Sequence, residues 1–299
     1  MASSIPRSAT SDAPSAERVR SRRVASRALR NPLSVAGLII IGTLIGLAIV
    51  APLVAPYDPT KTDVVNRLAP PSAAHWFGTD ALGRDILSRV IYGSRVSLRI
   101  ALLAAVIATA IGVPLGIVSG YFRGRTDDLL MRLTDMFLAF PSLILAMAIA
   151  AALRPTLENV IIAISLAAWP AYARLARSVT LALREETFVE AARASGATSG
   201  RILRRHVLPG VLSPVVIQVS LSMGGIILTA AGLGFIGLGA QPPTPEWGVM
   251  IAEGRNFITQ QWWVSTFPGI AIALVVLGFN LLGDGIRDIL DPRLRGRGG

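Results

Sequence analysis

Residues Leu33 to Ala55 read LSVAGLIIIGTLIGLAIVAPLVA, a run without one charged side chain. A helix needs about 20 consecutive apolar residues to cross the ~30 Å hydrocarbon core of a bilayer, and this run is long enough. Arginine-rich sequence precedes it, as in a secretory signal. The apolar region of a signal peptide, however, is only about 7–15 residues long. The run therefore reads as an uncleaved first membrane helix. Further apolar stretches follow at roughly Ile100–Gly120, Thr134–Leu153, Asn159–Ala173, Val211–Ala240 and Trp263–Leu282. The fourth span is short and holds Trp169-Pro170. The fifth is too long for one straight helix, and Gly232, Gly234, Gly237 and Gly239 mark an end expected to bend or unwind. The fold class is all-α, a polytopic membrane protein with six transmembrane helices.

Composition agrees. Of 299 residues, 52% are hydrophobic and 16% charged, and the mean hydropathy is +0.58. Soluble domains carry about 25% charged residues. The net charge of +11 and a pI near 11.4 suggest a nucleic-acid binder until the charge is located. With the N-terminus inside, segments 1–34, 121–133, 174–210 and 283–299 hold 21 of the 29 basic residues. Segments 56–95, 154–158 and 241–262 hold seven, matched by seven acids. Basic loops stay cytoplasmic, so both termini are expected there. The whole excess lies on one face of a membrane, and no nucleic acid is implied. There are no cysteines and two histidines, His75 and His206, which excludes thiolate metal sites and disulfides and argues against a histidine metal centre. No internal repeat is evident, which weakens an inverted-repeat transporter.

The loop Arg174–Gly210 is the longest on the inner side between spans. Thr187-Phe188-Val189-Glu190 fits a capping box, with Thr187 as N-cap and Glu190 reaching back. Ala191 to Ser195 propagate helix, and Gly196 is a natural C′ stop. Thr198 is placed to cap a second short helix running to Leu208, before Pro209. By pattern alone this is either a compact projection whose alanines admit another backbone, or a connector lying on headgroups.

On the fifth span Gln218, Ser222, Gly225 and Thr229 share one face. They read equally as a polar translocation stripe or as close helix packing. Gly112, Gly116 and Gly120, and Gly42 with Gly46, repeat at four-residue spacing and suggest helix contacts. Asp135 and Arg99, at span ends, suit snorkelling to the interface. In the loop 56–95, Ile86, Leu87, Val90 and Ile91 suggest an amphipathic helix on the outer surface. Trp76, Trp247 and the pair Trp262-Trp263 fit either an interfacial belt or a surface that receives another protein.

The motifs narrow this further. Glu190-Ala191-Ala192, then Gly196, then Val207-Leu208-Pro209 resemble the EAA loop of ABC importer permeases. Phe77-Gly78-Thr79-Asp80 with Gly83-Arg84-Asp85 and Ser88-Arg89 is similar to the C-type permease subunit of dipeptide/oligopeptide/nickel importers. So are Gly237 to Pro243 with Pro245-Glu246-Trp247-Gly248, and Asn280 to Gly285 with Arg287-Asp288 and Asp291-Pro292. The likeness covers roughly residues 30 to 295. It implies a type I ABC importer permease fold (MetI-like) in the inner membrane of a prokaryote. A tail at 1–31 precedes a first helix at 32–56 and an outer loop at 57–95. The permease core at 96–283 contains the coupling loop 186–209, and a cytoplasmic end at 284–299 follows.

The resemblance also implies that Glu190, Ala191, Ala192, Gly196, Leu208 and Pro209 contact a cytoplasmic ATPase. The implied partners are a homologous B-type permease, two ATPase subunits, an external substrate-binding protein and membrane lipid. The implied cargo is dipeptides or oligopeptides, with nickel, opines or glutathione-like compounds as alternatives. Lys61, the one lysine, lies between Thr60 and Thr62 with no glycine-rich loop, so a P-loop is missing. ATP and Mg²⁺ are expected on the partner ATPases, with no cofactor, metal or catalytic residue in this chain. The alternative from another class is a secondary transporter driven by an ion gradient, and the scarcity of intramembrane carboxylates counts against it.

Overall fold

The computed structural model describes residues 32–290; the expected tail and the residues from 291 lie outside these. The described helices are α1 (Pro32–Val54), α2 (Ile86–Phe122), α3 (Gly124–Leu138), α4 (Ser142–Ala152), α5 (Leu157–Arg184), α6 (Thr187–Ala194), α7 (Ser199–Phe235), α8 (Trp247–Gly254) and α9 (Trp263–Leu290). Five of them (α1, α2, α5, α7 and α9) are long and apolar enough to cross a membrane. The α3–α4 pair, bent by 86°, makes a broken sixth. The expected span Thr134–Leu153 is therefore present but broken, with its two halves meeting at Pro141. Pro141 has no N–H to donate, and its ring conflicts with the carbonyl four residues back, so a helix entering from Asp135 stops before it.

The core is organised by close backbone approach. Gly112, Gly116 and Gly120 of α2 face the carbonyls of Trp169, Ala173 and Arg177 on α5. Both series advance in the same direction, so the two helices run parallel. A Cβ on Gly116 would lie 2.2 Å from the Ala173 oxygen, a distance no side chain tolerates. The expected contact role of these three glycines holds. Gly42 and Gly46 make no such contact among the described residues, where a Cβ on either meets nothing within 4 Å. Instead Gly37 of α1 meets the Gly278 and Leu282 backbone of α9, and Ser34 meets Gly285, which makes α1 and α9 antiparallel. Pro32, the α5–α7 link and the end of α9 thus share one end of the bundle. The other end holds a cap built from residues 55–85 and α8.

That cap corrects a second expectation. The segment Ile86–Ile91 is no separate surface helix; it is the first part of α2, so the outer loop ends at Asp85 rather than at residue 95. Ile86 and Ile91 are buried, with Leu87 and Val90 half-buried. The Trp247 indole, itself fully buried, covers this stretch and donates from Nε1 to the Val90 carbonyl at 3.0 Å. An amphipathic pattern looks the same whether its apolar side meets lipid or protein.

The fifth span ends at Phe235, where Gly237 adopts φ +83° and closes the helix. Leu238 N–H donates to the Leu233 carbonyl and Gly237 N–H to that of Gly234. The expected unwinding at the glycines is a defined helix stop.

Candidate functional site

The α5–α7 link folds as two short arms. The first, α6, takes Glu186 as N-cap with no side-chain capping bond, so the predicted capping box between Thr187 and Glu190 does not form. Thr187 is already inside the helix. The stop is as expected and stronger in detail. Ala197 N–H donates to the Ala192 carbonyl and Gly196 N–H to that of Arg193, both at 3.0 Å. This reciprocal closure needs a left-handed residue, and Gly196 supplies it with φ +79°.

The second arm starts after Thr198 and does not end at Pro209. It runs on as α7, with a π-helical stretch at Leu203–Val207. Leu208 N–H donates to Leu203, five residues back, and that widening relieves the clash between Pro209 and the preceding turn.

Inner side chains anchor this projection. Val189, Ile202, Val207 and Val211 are all at most 1% exposed and pack with Trp169, Tyr172 and Ala176 of α5 and Ile117 of α2. Glu190, Ala191, Arg193, Ala194 and Gly196 face outward, while Ala192 and Leu208 are half-buried. Phe188 lies tilted by 46° against His206, with ring centroids 6.0 Å apart. Beside these arms, Gly200, Arg201, Arg204 and Arg205 line a cleft of about 600 Å³ whose charge suits anionic headgroups.

The α7 stripe divides in two. Gly225 is open, Gln218 is half-exposed, and Thr229 donates back to the Gly225 carbonyl at 2.9 Å. Ser222 lies 2.6 Å from the Tyr172 hydroxyl and belongs to the α5 contact. Asp135 pairs at 2.7 Å with Arg174 in an exposed bridge.

At the opposite end lies a site the sequence did not reveal. Asp80 accepts from Arg84 Nε at 2.6 Å and also pairs with Arg89. Both guanidiniums also meet Glu253 at 2.9 Å, joining the loop before α2 to α8. Two carboxylates and two guanidiniums make this quartet neutral. Asp85 caps α2 by accepting from Ser88 N–H at 2.8 Å, and pairs with His75. Glu246 caps α8 by accepting from Val249 N–H at 2.9 Å, and burial pushes its carboxyl above the usual carboxylate range. The motifs around Asp80, Arg84 and Arg89 stood out only as a resemblance. The available signal was the density of opposite charges in one short loop.

Comparison with known proteins decides the family. A profile of the binding-protein-dependent transport system inner membrane component matches residues 112–296, and one of the N-terminal transmembrane domain of oligopeptide transport permease C matches residues 20–71. The chain belongs to this permease family. The permease is 48% identical to the dipeptide transport system permease protein of Alkalihalophilus pseudofirmus, over 89% of this chain and 88% of the relative. It is 49% identical to a probable D,D-dipeptide transport system permease protein of Escherichia coli K12, over 89% and 90%. A glutathione transport system permease protein of Escherichia coli O6:K15:H31 is 46% identical over 89% and 88%.

Among solved structures, the inward-facing MetNI methionine ABC transporter matches with a TM-score of 0.55 at 19% identity, over 68% of the permease and 97% of that chain. This likeness places the permease in the MetI-type importer fold. The permease is thus a multi-pass inner-membrane subunit of an ABC importer, a family that works with an ATPase and a substrate-binding protein.

Proposed function

We propose that this permease forms half of the translocation path of an ATP-driven importer of short peptides, with a homologous B-type permease as the other half. Two ATPase subunits drive it, and these carry ATP and Mg²⁺. A substrate-binding protein delivers cargo on the outer side. The substrate reading rests on the relatives named for dipeptides, and glutathione, itself a tripeptide, falls within the same class.

The observation that carries the coupling role is the α6 arm. It is exposed on one side and closed by a reciprocal cap at Gly196, and Val189 seats its other side in the bundle. Such an arm transmits force, whereas a loose loop absorbs it. Glu190, Ala191, Ala192 and Gly196 form the contact with the motor. Leu208 and Pro209, within α7, continue that contact toward Gln218, Gly225 and Thr229, which line the path. Ser222 acts there through Tyr172. ATP binding draws the coupling arms together and opens the path outward; hydrolysis and product release return it inward. Both termini lie in the cytoplasm.

Gly196→Val forces a β-branched residue into a left-handed conformation that costs about 1–2 kcal/mol even for an ordinary side chain. No neighbour crowds the site, so the damage stays in the cap. In proteoliposomes the variant should hydrolyse ATP yet import dipeptide about tenfold more slowly. Uptake at the wild-type rate would remove the coupling assignment. Orientation is checked on the naturally cysteine-free chain. A cysteine at Ala194 should react only with reagent on the cytoplasmic side, and one at Pro243 only from outside. The reverse labelling overturns the topology.

A further inference from the structure

Where α7 stops, a cavity of about 310 Å³ opens between its last turn and α8. Phe235, Ile236 and Gly237 form one wall, Ala252, Glu253 and Arg255 another, and Gln241 closes one side. Ligand cavities run from about 300 to 1,000 Å³, so this one suits a small guest.

Its electrostatics are arranged in two poles. A helix carries partial negative charge at its C-terminal end, strongest within the last turn. Here that end belongs to α7, whose last residues Gly234 and Phe235 line the cavity. Glu253 adds the one member of the neutral quartet that is partly exposed, turning the carboxylate end of that quartet toward the cavity. It is not a free anion wandering at the surface: Arg84 and Arg89 hold it, and Asp80 balances them. Its side chain nevertheless keeps 21% of its surface exposed. The two buried guanidiniums fix its position. Arg255, which caps α8, is exposed and supplies a cation to the same cavity.

A partial negative pole, made by the end of α7 and the exposed edge of Glu253, and the positive pole of Arg255 in one small cavity are complementary to a zwitterion. We propose that this cavity is a reception site for a short peptide. The peptide's ammonium group sits against Glu253 and the end of α7, and its carboxylate against Arg255. Gln241 donates its amide to the Gly237 and Gly239 carbonyls at 3.2 and 3.0 Å, which leaves its oxygen to accept from a peptide N–H. The cavity lies at the head of the helix that carries Gln218, Gly225 and Thr229. A peptide released there enters the path already oriented. The inference rests on peptide import as the function of the permease.

The test uses the assembled importer in proteoliposomes, with binding protein loaded with radiolabelled Ala-Ala. Charge-assisted hydrogen bonds to a carboxylate are among the strongest available. Arg255→Gln should therefore slow uptake about tenfold, and Arg255→Lys less than threefold. The concentration of loaded binding protein needed for half-maximal ATPase stimulation should not move. Ala252→Phe fills the chamber without touching a charge and should also block uptake.

Wild-type uptake by both Arg255→Gln and Ala252→Phe overturns the site. A rise in the binding-protein requirement for Arg255→Gln makes Arg255 a docking contact and overturns it equally. Failure of the unaltered importer to take up Ala-Ala or any other short peptide removes the peptide reading itself, before any variant is compared.

Discussion

Asp80→Ala is expected to destabilise the folded permease severely. Asp80 accepts from both Arg84 and Arg89, and also from the Leu82 and Arg84 backbone N–H groups at 2.8 and 3.0 Å. Without it two buried guanidiniums share one Glu253, and a net positive charge stays inside protein. Removing one partner from a buried ion pair costs roughly 3–5 kcal/mol, because the charge left behind has lost water as well as its counter-ion. Native stabilities are only about 5–15 kcal/mol. The loop from Tyr57 to Asp85 should detach from α8, and the thermal midpoint of the purified importer should fall sharply with its yield in the membrane. Asp135→Ala is the control. Its bridge to Arg174 leaves each side chain more than half exposed, and such pairs are worth about 0–1 kcal/mol. Equal midpoints for the two variants would show that the quartet is not a structural joint.

Gly116→Val should be almost as severe for a different reason. The first side-chain atom would already fall 2.2 Å from the Ala173 carbonyl and 2.8 Å from the Ala176 methyl. Neither neighbour is the tip of a flexible chain, so α2 and α5 must separate. Overpacking a tight core costs about 1–3 kcal/mol, occasionally more. Here the separation also spreads along the row of contacts at Gly112 and Gly120. Apolar surface alone does not hold helices together in lipid, and close approach has to. The expected result is loss of assembled importer on size-exclusion chromatography. Gly42→Ala, where the added methyl meets nothing in the chain, should elute as the unaltered protein does.

The six crossings were legible in the sequence because a membrane demands long uncharged runs, and those runs can be read directly. The break at Pro141 was not, because Ala139-Phe140-Pro141-Ser142 continues the apolar run and proline is often tolerated inside membrane helices. Residues 86–91 were misplaced because their pattern marks a buried side without naming the neighbour. The capping box failed because the N-cap lies one residue earlier than Thr187, at Glu186. The glycine stop at 196 succeeded because only glycine adopts that backbone cheaply. The EAA loop was visible by resemblance; its seating through Val189 was not. The charge quartet stayed hidden because Glu253 lies 169 residues from Arg84, and a sequence does not say which distant charges meet.

Because α7 is continuous, it is longer than a bilayer is thick. Its 37 residues, at 1.5 Å each, extend about 55 Å, further than the ~40–45 Å of a bilayer with its headgroups. On the coupling role proposed above, the helix acts as a lever whose fulcrum lies within the lipid. Tilting such a rod by about 10° around its middle carries each tip sideways by roughly 5 Å, in opposite directions. In that proposal a push at the end beside Gly196 arrives beyond Phe235 with its sign reversed and its size preserved, so that closing one mouth of the path opens the other.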